Sequence, residues 1–125
     1  MTRRWRLLTL LLFVGILNAS AGSADVSGKW SGILHLVAPD VGAWDQTAVL
    51  ILKQSGDDVT GTIGESEEQR LPLKKGRMSG DVLTIEMETN PLAFSLKMEG
   101  NKLRGDILDA RDHATILGRA DLTRK

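Results

Sequence analysis

The sequence predicts an all-β domain, an eight-stranded antiparallel up-and-down (meander) barrel, and three observations lead there. From Gly28 onward, apolar and polar residues alternate in short runs. Brief connections rich in Gly, Asp, Asn and Ser separate those runs. No window carries apolar residues at the helical spacing of about 3.6 over a helical length. Period two with one apolar face marks a half-buried antiparallel strand, because successive side chains leave a strand on opposite sides.

Residues 1–24 precede the domain and read as a cleavable secretory signal peptide. Arg3, Arg4 and Arg6 open it without an acid, residues 7–17 (LLTLLLFVGIL) are uncharged, and small residues fill 18–24. Cleavage after Ala21 leaves Gly22 first; cleavage after Ala24 leaves Asp25, a short distance before the first strand. The apolar run is about half the roughly 20 residues of a membrane-spanning helix. The expectation is therefore a secreted or periplasmic single domain, residues 25–125, with no membrane association once the signal is removed. The chain has no Cys, so neither a disulfide nor a cysteine-linked lipid is available. Side-chain packing and backbone pairing alone must hold the fold.

The strands follow in order at 28–37, 44–54, 59–64, 70–78, 82–88, 92–98, 102–110 and 114–122. The first sets Trp30, Leu34 and Leu36 opposite His35; the second gives Gln46, Ala48, Leu50, Leu52 and Gln54 one parity. Ile63 is the inward residue of the third. In the fourth, Pro72 sits badly in a strand interior and marks a bulge or a later start. Leu83, Ile85 and Met87 oppose Thr84, Glu86 and Glu88 in the fifth. Leu92, Phe94, Leu96 and Met98 oppose Ala93, Ser95 and Lys97 in the sixth. Leu103 and Ile107 point inward from the seventh, and Ile116 from the eighth. Gly56-Asp57, Gly80-Asp81 and Gly100-Asn101 supply tight hairpin turns. Gly32, Gly61, Gly64, Gly105 and Gly118 interrupt strands, as tight curvature requires. A long meander leaves two exposed edges unless it closes, so a barrel is expected, with a two-sheet β-sandwich as the alternative.

Gly28-Lys29-Trp30 at the first strand, with Arg119 in the last, resembles the lipocalin and avidin group of calycin barrels. The resemblance implies that Trp30 packs at a closed end with Arg119 lying across it, a cation–π contact plus burial. Gly28, Trp30 and Arg119 are thus its structural signature. A longer pattern joins this G-x-W to Leu52-Lys53-Gln54-Ser55-Gly56, to Val59-Thr60-Gly61-Thr62, and to the segment from Gly76 to Asp81. It is similar to small secreted bacterial domains of uncharacterised function. That similarity implies a barrel outside the cytoplasm and brings no catalytic residue.

Charge and composition narrow the function classes. Without the signal's three Arg, 13 basic residues face 16 acidic ones, a balance of −3 that speaks against nucleic acid. Only Trp30, Trp44 and Phe94 remain as aromatics, which weighs against sugar- or base-stacking surfaces. His35 points outward, His113 lies in the turn before the last strand, and neither has zinc-site spacing. There is no G-x-S-x-G elbow and no phosphate-cradling loop. Glu65, Glu67 and Glu68, like Asp106, Asp109 and Asp112, read as solvated charge rather than a calcium loop. No enzymatic activity, cofactor or metal is expected.

An eight-stranded barrel is filled by its own side chains or holds one small ligand, and the inward bulk here favours filling. Trp44 at an open rim, with Gln46 and Gln54 as inward polar groups near the two ends, are the candidate ligand-binding residues. Two functional classes lead: a barrel that binds a small apolar ligand or lipid, and a filled structural or interaction domain that acts on another exported protein. A monomer is expected in either case.

Overall fold

The computed structural model describes residues 24–125. The segment expected to be a signal peptide lies, apart from Ala24, outside the described residues. Eight strands follow one another: β1 (Gly28–Ala38), β2 (Gly42–Ser55), β3 (Asp58–Gly64), β4 (Arg70–Ser79), β5 (Val82–Met87), β6 (Leu92–Glu99), β7 (Lys102–Asp109) and β8 (Ile116–Arg124). Each pairs antiparallel with the next, and β8 pairs with β1 from Trp30↔Arg124 to Leu36↔Gly118. The sheet closes into a barrel, not a sandwich, so no strand edge is left unpaired.

The two ends of the barrel differ because their connections differ. At one end the hairpins turn on Gly56, Gly80 and Gly100, with φ of 63°, 63° and 61°. Those left-handed values suit glycine. At the other end the longer connections 39–41, 65–69, 88–91 and 110–115 stand apart. The strand with Pro72 keeps its length: Pro72 lies opposite Thr62, and the β4–β5 register shifts between Leu73 and Lys75. A bulge therefore accommodates the proline.

The tight-turn end is closed by the segment before β1. Trp30 is fully buried, and its Nε1–H donates to the Val26 carbonyl at 2.9 Å. Val26 is itself buried, and its N–H donates to Gln54 Oε1 at 2.9 Å. Gln54 N–H donates to Ser27 Oγ, and Gln54 Nε2 to the Gly56 carbonyl, each at 2.9 Å. Arg124 lies over the Trp30 ring, 4.3 Å from its centroid, and donates to the carbonyls of Ser27 and Asp25. Leu50, Met78, Leu83, Ile85, Leu96, Leu103, Ile107 and Leu122 complete the core around Trp30.

Two expectations for the last strand are corrected here. The arginine across Trp30 is Arg124, not Arg119. Ala120 and Leu122 are buried, so β8 turns its even-numbered side chains inward. Arg119 has the opposite parity, faces outward, and lies 3.5 Å from Asp106. Ile116 is also outward, at 62 % exposure, rather than in the core. The cause is a bulge: Ile107 pairs with Gly118 but Leu108 pairs with Ile116, which leaves Leu117 as the extra residue. One extra residue in a strand reverses the parity of everything before it.

Candidate functional site: an apolar cup at the open end

Toward the long-connection end the buried core, which there includes Leu34, Ile63, Met87 and Phe94, leaves space unfilled. There the barrel holds a cup of about 280 Å³, its wall formed by Leu34, Leu36, Ala48, Ile63, Met87 and Phe94. Its mouth carries Gln46, Glu65, Leu71, Asn90 and Leu92. Residue size explains the position. Ala48, a small residue on the inward face of β2, leaves room where a larger side chain would fill the lumen. Gly64 lines the same space from β3. Toward the closed end Trp30, Met78, Ile85, Ile107 and the leucines fill the lumen.

Polar groups are few and lie at the mouth. Gln46 Nε2 reaches only the Thr47 carbonyl, at 3.5 Å. Asn90 Oδ1 accepts the Leu92 N–H at 3.1 Å, which shapes the β5–β6 connection. The Glu65 backbone is held on both sides, its N–H donating to the Gln69 carbonyl and its carbonyl accepting the Thr47 hydroxyl. Of the sequence candidates, Gln46 lines the cup. Trp44 shares Gln46's face of β2, stands nearer the rim opposite Leu36, and is 39 % exposed. Gln54 lies at the other end, where both its amide atoms serve the closing segment. Gly28 and Trp30 also belong to that closed end.

The open-end connection 110–115 is more ordered than free surface charge would be. Asp109, on the inward parity of β7 opposite Leu92, is buried and accepts from Arg111 Nη2 at 2.6 Å and from its Nε and backbone N–H at 2.9 Å. The Arg111 side chain and then its N–H hold the Asp109 carboxyl below its usual range. This corrects the reading of Asp109 as solvated: a bidentate arginine two residues away lets a carboxylate occupy an inward position. Asp112 accepts from the Thr115 hydroxyl and from the N–H groups of Thr115 and Ala114, which pushes its carboxyl down to about 2.

A lowered carboxyl pKa adds stability above the unfolded value of about 4, and that contribution disappears as pH falls through the folded value. The Asp112 turn should therefore stay ordered at pH values where ordinary Asp is protonated. Titration of the Asp112 carboxyl by NMR, followed with the Thr115 amide, is expected to show a midpoint near 2. A midpoint in the ordinary range would refute these hydrogen bonds.

The histidines lie on the outer wall. His35 Nδ1 is 2.7 Å from Asp45 Oδ1, and His113 Nε2 is 3.7 Å from Glu86 Oε2. Neither imidazole lines the cup, and neither pair includes a hydroxyl. A broader depression of about 590 Å³ also lies outside the barrel, bordered by His35, Val37, Arg104, Ile116 and Arg119. Comparison with known proteins finds no matching family model, no matching curated protein and no matching solved structure.

Proposed function

We propose that this domain is a secreted, calycin-like barrel that works without catalysis and binds a small apolar molecule in the open half of its lumen. The observation that carries this is the cup of about 280 Å³, apolar in its wall and sparsely polar at its mouth. That combination is typical of small-molecule pockets. The calycin-like reading draws support from Trp30, buried beneath an arginine of the last strand. Export draws on the basic start, apolar run and small-residue region of residues 1–24.

The cup's size sets the ligand's size. A dry cavity of about 150 Å³ holds benzene, so this one suits a body of roughly eight carbons. Each buried methylene contributes about 0.8 kcal/mol, which places the affinity in the range of tens of micromolar or weaker.

Filling the cup tests the reading. Ala48 is buried in the wall, beside free volume. Ala48→Leu should abolish binding of an eight-carbon alcohol in calorimetric titration while leaving the urea midpoint unchanged or raised, because it fills space. Unaltered binding in a folded variant would place the ligand elsewhere.

A second reading has its own support: Val37, Val41 and Ile116 are exposed at 56 %, 73 % and 62 % near the open end. Such residues suit contact with another exported protein. Native mass spectrometry of protein purified from its own host's envelope separates the two, as retained small molecule or stoichiometric protein. The same mass tests export. A chain beginning at Gly22 or Asp25 agrees with it, and one beginning at Met1 overturns it.

A further inference from the structure

We infer that the cup selects cationic amphiphiles, molecules with one short alkyl or aromatic body and an ammonium head; this deepens, and rests on, the reading of the cup as a binding site. The first part of the argument is directional. Val26, Trp30 and Arg124 close the far end of the barrel, so a ligand enters tail first and leaves its other end at the mouth. The chemistry of the mouth then decides which head group is accepted.

That chemistry is acidic. The connections 39–41, 65–69, 88–91 and 110–115 carry Asp40, Glu65, Glu67, Glu68, Glu88 and Asp112, against Arg111 and His113. Arg111 is taken up by Asp109, and His113 faces Glu86 on the outer wall. Glu67 is bound by Lys29 at 2.6 Å, with Arg70 acting on it as well, and Asp112 is occupied by its own turn. Among the described residues Asp40, Glu65, Glu68 and Glu88 make no ion pair, and Glu65 lines the cup itself. Toward the closed end, by contrast, Asp57 and Asp81 are paired with Arg77 and Lys97.

Two further groups suit a cation better than an anion. Among the described residues the Gln46 side-chain oxygen accepts no hydrogen bond, so an acceptor is available at the mouth. Trp44, outside the cup lining but on the same face of β2 nearer the rim and 39 % exposed, is an aromatic within the approach of an ammonium head, which gains from the negative face of a π-system. No unpaired Lys or Arg lines the cup to receive a carboxylate.

The test compares three probes with one tail: octyltrimethylammonium, octanol and octanoate, titrated calorimetrically into the mature protein. At about 20 mM salt the ammonium should bind at least about fivefold tighter than octanoate, with octanol between them. The gap should narrow at about 300 mM salt, where screening is stronger. Glu65→Gln should reduce the preference for the ammonium over octanoate about twofold, and an undiminished preference would overturn the inference. Octanoate binding as tightly as the ammonium, with octanol still bound, overturns this inference alone. If none of the three binds, the cup reading falls with it.

Discussion

Replacing Trp30 with Ala should lower the unfolding free energy by about 3–5 kcal/mol, the range for removing a large buried aromatic. Trp30 is the largest fully buried side chain and fills the closed end. Its removal leaves a cavity and strips the Val26 carbonyl of its donor, the Nε1–H at 2.9 Å. It also removes the platform for Arg124, whose guanidinium ties β8 to Ser27 and Asp25. Equilibrium urea unfolding of the domain, residues 25–125, measures the loss; a loss below about 2 kcal/mol would contradict the packing described. The two arginines give a sharper comparison. Arg124→Ala should cost about 1–2 kcal/mol, from a cation–π contact and two charge-assisted hydrogen bonds. Arg119→Ala, which breaks only an exposed pair, should cost about 0.5 kcal/mol or less. The reverse order would return the role to Arg119.

The difference between Arg119 and Arg124 shows where the sequence is readable. Alternation identifies strands well because it is local: Leu83, Ile85 and Met87 are buried as their spacing implies. The tight turns are local too, since a Gly beside Asp or Asn states its own geometry. Parity across a bulge is different. The extra residue at Leu117 depends on how β8 meets β7, and nothing within residues 114–122 reveals it. Ile116 lies before that bulge, so simple alternation misplaces it; Arg119 lies after it, and its placement over Trp30 rests on the calycin resemblance, which does not specify which arginine of the last strand takes that role. Asp109 escaped notice for a related reason. A carboxylate looks solvated until the Arg111 fork closes on it.

The cup was half legible. Gln46 and the apolar wall residues follow from parity, yet their summed bulk suggested a filled lumen. Bulk is not evenly spread along the barrel axis. The free volume is bordered by Ala48 of β2 and Gly64 of β3, small residues that only the pairing of the two strands brings to one end. Gln54 shares Gln46's parity but lies several pairs further along β2, at the closed end, where Val26 takes its side chain. Which of two equivalent glutamines faces the open end depends on the direction of the whole barrel.

Gly105→Ala should be costly for so small a change, about 2–3 kcal/mol. Elsewhere Gly→Ala at a compatible site stabilises by about 0.4–1 kcal/mol, because the unfolded chain loses freedom. At Gly105 a methyl group would overlap the Ser95 carbonyl oxygen and sit 2.9 Å from Leu96 Cα, both backbone atoms of β6. Backbone cannot rotate aside as a side chain can, so β6 and β7 must separate. Gly32 against Asp121 and Leu122 of β8 repeats the arrangement at another seam. These close approaches are how eight short strands coil tightly enough to close. Gly80→Ala is the informative comparison: nothing lies within 4 Å of the added carbon, and only its φ of 63° opposes the change. It should cost about 1 kcal/mol, the strain of a left-handed residue. Urea midpoints for the two variants, with amide exchange in β6 and β7, distinguish steric closure from turn strain. A Gly105→Ala barrel as stable as the parent would mean that curvature is set elsewhere, and that the contact between β6 and β7 is looser than described.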